Sequence, residues 1–234
     1  MRRLTFKLQQ FTGPLMAKGL EDTAFYRYHH LIALNEVGGH PASRGLTVND
    51  FHEKMIERGR QWPFGLTATA THDTKRGEDA RTRLIAISEL PNEWTHLVGR
   101  WKAMNAQFIA TDGDRRSPTV ADEYMIYQSL LGVMPLEGAN ANLVGRFQLF
   151  AQKSVREAKL HSSWLNPNDW YEAGVANFVT KILNTHIATD FLASVSELIK
   201  RLSLLGALNS LSQLTLKAMI PGVPDFYQGT EFWD

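Results

Sequence analysis

The 234-residue chain has no cysteine, which excludes disulfide staples, thiolate zinc sites and a cysteine nucleophile, and fits a reducing cytoplasm. It also has almost no net charge: 25 Lys and Arg against 24 Asp and Glu leave a formal +1. Such a balance gives no electrostatic footprint for nucleic acid or an anionic membrane, so a neutral partner is expected. Long apolar runs are missing as well. The opening Met1-Arg2-Arg3-Leu4-Thr5-Phe6 is basic but has no long apolar stretch, and no segment reaches the length needed to cross a bilayer. Neither secretion nor membrane insertion is expected. What remains is a chain that is 44% hydrophobic, able to bury a substantial core in one large domain or in a domain with a helical insertion.

Helical patterning dominates. Between Glu21 and Leu34 the apolar residues Phe25, Tyr28, Leu31 and Ile32 recur at threes and fours, which predicts a helix stopped at Gly38-Gly39. Thr47 and Asp50 have capping-box spacing ahead of a second helix over Phe51 to Arg58. The period then changes: Leu66, Ala68 and Ala70 alternate with Thr67, Thr69 and Thr71, predicting a short strand that ends at His72-Asp73. Glu78 to Leu90 is helical again, with Pro91 as its stop, and further helices are expected near 92–110, 119–134, 140–160, 168–184 and 187–213. Thr111 to Pro118 is the most polar loop and the expected site of disorder. Lys217 to Ile220 followed by Pro221-Gly222-Val223-Pro224 reads as strand and loop rather than helix.

A strand of small residues that ends in His-Asp before a helix is how a β/α barrel presents polar groups at its C-terminal rim. Read alone, Asp73 is a helix cap and His72 a core histidine. The cations Lys75 and Arg76 oppose the dipole of a helix N-terminus and are better placed facing carboxylates or ligand oxygens. A second candidate junction, Gly13-Pro14-Leu15-Met16-Ala17-Lys18-Gly19, sets Lys18 ahead of Glu21-Asp22. Tyr26, Tyr28, Trp62, Trp164, Trp170 and Trp233 offer faces for sugar stacking, or simply core. A metal-dependent phosphohydrolase would use His72-Asp73 with His29 or His30, but no HxxxH or HxxE pair supplies a second ligand set.

Five segments in order resemble one family. They are GPLMAKGLEDTAFYRY at Gly13 to Tyr28, LNEVGG at Leu34 to Gly39, TATHDTKRGED at Thr69 to Asp79, REAKLHSSW at Arg156 to Trp164, and PGVPDFYQGTE at Pro221 to Glu231. In this combination the sequence resembles the maltooligosyltrehalose synthase family of alpha-amylase-type glycoside hydrolases. Thr71 stands where the general amylase pattern has Asn before His-Asp, a departure that suits the trehalose-forming branch rather than an ordinary starch hydrolase.

The resemblance implies a mostly α chain: a partial (β/α) barrel carrying about the last three strands, near 12–17, 66–72 and 217–227, with 1–234 as one unit and a helical insertion over 77–213. It implies an intramolecular transglucosylase that converts the reducing-end α-1,4 linkage of a maltooligosaccharide to α,α-1,1. No cofactor or metal is implied. By motif, Asp73 is the assisting catalytic carboxylate and His72 bonds the same sugar. Lys18 and Lys75 hold the reducing-end glucose, and Arg76, Asp22 and Tyr26 complete the substrate-binding set. The family's Gly-x-Arg-x-Asp nucleophile strand and the Glu of its general acid are not found. Gly113-Asp114-Arg115-Arg116 lacks a preceding apolar strand and has its arginines after the aspartate. The chain alone is therefore expected to be inactive without the N-terminal part of the same enzyme, the alternative being a non-enzymatic helical scaffold.

Overall fold

The computed structural model describes residues 2–42, 45–227 and 229. Eight α-helices carry the described chain: α1 (Arg2–Leu15), α2 (Val48–Gln61), α3 (Glu78–Ile85), α4 (Pro91–Asn105), α5 (Val120–Val133), α6 (Ala141–Ala158), α7 (Asp169–Ile182) and α8 (Thr189–Met219). Their starts follow from local chemistry. Thr47 and Asp50 form the expected reciprocal capping box, with Thr47 Oγ1 accepting from the Asp50 amide at 3.1 Å and Asp50 Oδ2 accepting from the Thr47 amide at 3.0 Å. Thr119, Asn140 and Asn168 cap α5, α6 and α7 from one side only, each side-chain oxygen accepting the backbone amide three residues on.

The core lies on α5, whose residues from Met125 to Gly132 are all buried, as a helix apolar on nearly every face requires. Around it pack α3, α4, α6, α7 and α8. Trp101 of α4 is fully buried, its ring 5.7 Å from Trp94, 5.6 Å from Tyr127 and 5.5 Å from Phe191 in edge-on contacts. The 31-residue α8 runs about 46 Å at the usual helical rise. It crosses α3 at Gly206, where an added Cβ would come within 2.9 Å of the Arg83 Cα. Only a glycine permits that approach.

Two small sheets complete the fold. β1 (Leu66–Thr67) pairs in parallel with β4 (Val223–Pro224), Leu66 opposite Val223. β2 (Ala110–Asp112) and β3 (Arg115–Ser117) form an antiparallel hairpin. Arg58 of α2 locks the parallel pair, donating to the carbonyls of Pro221 at 2.7 Å and Gly65 at 3.1 Å and to Thr67 Oγ1 at 2.6 Å.

Several expectations change. Residues 12–17 are not a strand: α1 runs through Leu15 and passes into a π-helical turn over Met16–Glu21. The 21–34 helix breaks into 3-10 turns at Ala24–Tyr26 and Ile32–Leu34. The strand at 66–72 keeps ladder bonds only over Leu66–Thr67, because β4 is its one neighbour among the described residues and pairs for two residues. Lys217 to Met219 are the last turn of α8, and the helix announced to Leu90 becomes 3-10 after Ile85. Thr111 to Pro118, expected to be disordered, is mostly hairpin, tied to α7 by the Ser117 hydroxyl donating to the Tyr171 carbonyl at 2.6 Å. Trp233, a stacking candidate, lies outside the described residues. Among the described residues no helix is long and apolar enough to cross a membrane.

Candidate functional site

Lys18 sits in the π-helical turn and Asp22 directly follows it, so the two face each other one turn apart, Lys18 Nζ donating to Asp22 Oδ2 at 2.5 Å. The other oxygen of Asp22 accepts from Lys75 Nζ at 2.8 Å, across 53 residues of sequence. The Lys75 ammonium also lies 5.9 Å from the centre of the Tyr26 ring. Four of the expected site residues, Lys18, Asp22, Tyr26 and Lys75, thus form one cluster.

Hydrogen bonding from Lys18, then from Lys75, holds the Asp22 carboxyl below the usual carboxylate range. The same bond raises Lys18. Burial opposes the Lys75 charge, yet the Asp22 bond and the neighbouring Tyr26 prevail and its pKa is raised. Burial pushes the Tyr26 phenol up, keeping it neutral. At neutral pH the cluster is a carboxylate between two ammonium groups, and these lysines hold their protons too firmly for general acid work. Each ammonium has three N–H donors and gives one to Asp22. The rest suit ligand hydroxyls.

His72 and Asp73 stand on the adjoining turn, closed by the Thr74 amide donating to the Thr71 carbonyl at 3.2 Å. Asp73 caps nothing: the N-cap of α3 is Gly77. Both side chains are largely exposed, and they face each other at 3.4 Å from His72 Nε2 to Asp73 Oδ2. Arg76 leaves the cluster, its guanidinium donating to the Ile32 carbonyl at 3.3 Å and lying 6.0 Å from the Phe150 ring. There, burial lowers its pKa. It lines a cleft of about 270 Å³ with Phe147, Phe150 and Arg146.

Glu36 was not singled out from the sequence, although it lies in the Leu34 to Gly39 segment. It is buried, and its carboxylate accepts from the backbone amides of Lys75 at 2.7 Å, Arg76 at 3.2 Å and Val37 at 2.9 Å. Lys217 is a second residue passed over. Buried at the end of α8, it donates to Thr69 Oγ1 at 2.8 Å and to Glu78 at 3.1 Å, below the turn. The Arg156 to Trp164 segment is structural. Arg156 is bidentate to Glu172 at 2.8 and 2.7 Å, and the Ala158 carbonyl accepts from Arg27 at 2.6 Å, fastening α6 to the segment that carries Tyr26.

Of the other aromatic candidates, Tyr28 stacks on His30, Trp164 on the Arg156 guanidinium and Trp170 on Arg115, while Trp62 is exposed at the end of α2. His29 has both ring nitrogens against carbonyl oxygens, Ala121 at 3.1 Å and Tyr26 at 3.0 Å, and is not free to join His72-Asp73 in a metal site. Asp114 lies at the hairpin tip, where the neighbouring Arg115 pairs with Asp112.

No protein-family model matches the chain. Comparison with known proteins is more direct. A Mycobacterium tuberculosis protein provisionally named maltooligosyl trehalose synthase is 38% identical over 229 residues, 97% of this chain. The chain is a homologue of the maltooligosyltrehalose synthases. The hypothetical maltooligosyl trehalose synthase of Sulfolobus tokodaii superimposes on 97% of the chain with a TM-score of 0.85 and 35% identity. The maltooligosyltrehalose synthase of Arthrobacter ramosus does so with a TM-score of 0.81 and 34% identity. The chain spans 28% of the length of the Mycobacterium relative, 30% of the Sulfolobus chain and 27% of the Arthrobacter chain.

Proposed function

We propose that the chain is part of the barrel of an intramolecular transglucosylase, with residues 77–213 as its helical insertion, acting in the cytoplasm on the reducing end of maltooligosaccharides. The observation that carries this reading is the Lys18–Asp22–Lys75 triad, which joins two distant segments into a fixed array of hydroxyl-binding donors beside the turn of His72 and Asp73. The short parallel β1–β4 pair, open at both edges among the described residues, agrees with two neighbouring barrel strands awaiting others.

In this reading the terminal α-1,4 bond breaks at C1 of the penultimate glucose, the leaving O4 takes a proton, and that C1 passes through a glycosyl-enzyme intermediate. The released glucose, held by Lys18 and Lys75 with Asp22, Tyr26 and Arg76 as support, turns its anomeric hydroxyl toward C1. Its anomeric oxygen bonds to C1, displacing the enzyme's carboxylate and returning a proton to the group that protonated O4, and the α,α-1,1 linkage is formed. Asp73, with His72, holds the hydroxyls next to the reacting carbon and favours its cationic, flattened ring. The nucleophile and general acid belong to barrel strands this chain does not contain. Glycosyl transfer conserves oxidation state and calls for no redox or nucleotide cofactor.

Binding of maltopentaose to the isotope-labelled chain, followed by NMR with cellopentaose as control, tests the reading. Expected are shifts confined to Lys18, Asp22, Tyr26 and residues 71–76, weakened by K18A. Shifts elsewhere, or none even after mixing with the remainder of the Mycobacterium relative, would favour a scaffold role.

A further inference from the structure

We infer that Glu36 is a positioning residue that sets how much of the reaction goes to transfer rather than to water, an inference that rests on the function proposed above. The turn itself is braced by Thr71 and Thr74, the Thr74 hydroxyl donating to the Thr71 carbonyl at 2.8 Å and the Thr71 hydroxyl accepting from the Asp73 amide at 3.2 Å, but the Lys75 and Arg76 amides that follow are held by a side chain from another segment. That side chain is Glu36. One of its oxygens accepts the amides of Lys75 at 2.7 Å and Val37 at 2.9 Å. The other accepts the Arg76 amide at 3.2 Å and stands 3.7 Å from Arg81. Donors from two segments about forty residues apart thus converge on one buried carboxylate, and amide-to-carboxylate bonds are among the stronger ones.

The consequence is chemical. With Lys75 in place, the released glucose stays over C1 and its anomeric oxygen forms the new bond. If the turn loosens, a water oxygen forms that bond instead, its proton leaves to the general base, and free glucose departs with a shortened oligosaccharide. Both outcomes break the same C1–O4 bond. Only retention of the glucose separates them, so Glu36 acts on the partition without touching the reacting atoms.

The test is Glu36→Gln. The amide keeps one acceptor for Lys75 and Val37 but turns an NH₂ toward the Arg76 amide and Arg81. Hydrogen exchange on the chain alone should show faster exchange at Lys75 and Arg76 in E36Q, and unchanged exchange there would overturn the anchoring. In the chain combined with the remainder of the Mycobacterium relative, transfer should fall on the order of tenfold to a hundredfold, as for a small misplacement of a holding group. Glucose release should fall less, so the ratio of glucose to trehalose-type product rises. L130A, a core variant that lowers stability, should leave the ratio unchanged. Faster exchange with an unchanged ratio would refute the role in partition. Absence of any product from the unsubstituted pair would count against the proposed function itself, and the exchange measurement would then decide the anchoring.

Discussion

Replacing Glu172 by Gln probes the interaction that fastens α6 to α7. Hydrogen bonds from Arg156, opposed by burial and helped by Ser162 and Gln152, hold the Glu172 carboxyl at about 2 against an ordinary value of 4.5. Because the folded pKa is depressed, the stabilisation is fully present above pH 4.5 and is lost as pH falls toward 2. At 1.36 kcal/mol per pH unit the effect has an upper bound on the order of 3 kcal/mol, which solvent screening reduces because the Arg156 partner is partly exposed. E172Q leaves the Arg156 guanidinium without its carboxylate at pH 7, so the variant should lose about 1–3 kcal/mol of stability. Near pH 2 the wild-type side chain is itself about half protonated in the fold, and its protonated form is nearly isosteric with Gln, so the difference should shrink to a fraction of a kcal/mol. Urea unfolding of both proteins from pH 7 to pH 2 measures this. A difference independent of pH would refute the electrostatic account and leave only packing.

Other consequences are simpler. Gly222 has φ +125°, and a Cβ there would lie 2.5 Å from the Gly65 carbonyl oxygen. G222A should therefore cost about 1–3 kcal/mol and speed amide exchange at Val223 and Asp225, which donate to Gly65 and Thr67 across the β1–β4 pair. W101A empties a site enclosed by Trp94, Tyr127 and Phe191 and should cost about 3–5 kcal/mol in thermal or urea unfolding, whereas D73N, at an exposed side chain, should change stability by less than about 0.5 kcal/mol.

The helices with side-chain caps were legible because Thr47, Thr119, Asn140 and Asn168 advertise their starts and the apolar positions behind them keep a period of three and four. Residues 12–17 were not. Gly13 and Pro14 look like punctuation, yet Leu4, Leu8, Phe11 and Leu15 continue at helical spacing through them, on a helix exposed along its length. The alternating Leu66 to Thr71 stretch has strand chemistry but, among the described residues, one partner for two residues, and strand partners are not written in local sequence. The same distinction divides the site. Lys18 and Asp22 are one turn apart and could be paired by spacing; Lys75 joins them only through the fold. Glu36 escaped because its partners are backbone amides, which leave no trace in side-chain pattern.

The central claim, that the Asp73 turn belongs to a transglucosylation site, is tested most directly by incubating maltopentaose with this chain plus the remainder of the Mycobacterium relative, and assigning the product linkage by NMR. The account predicts an α,α-1,1 product that needs both parts and is abolished by D73N. Formation of that product by the 234-residue chain alone, or its persistence in D73N at the unsubstituted rate, would contradict it.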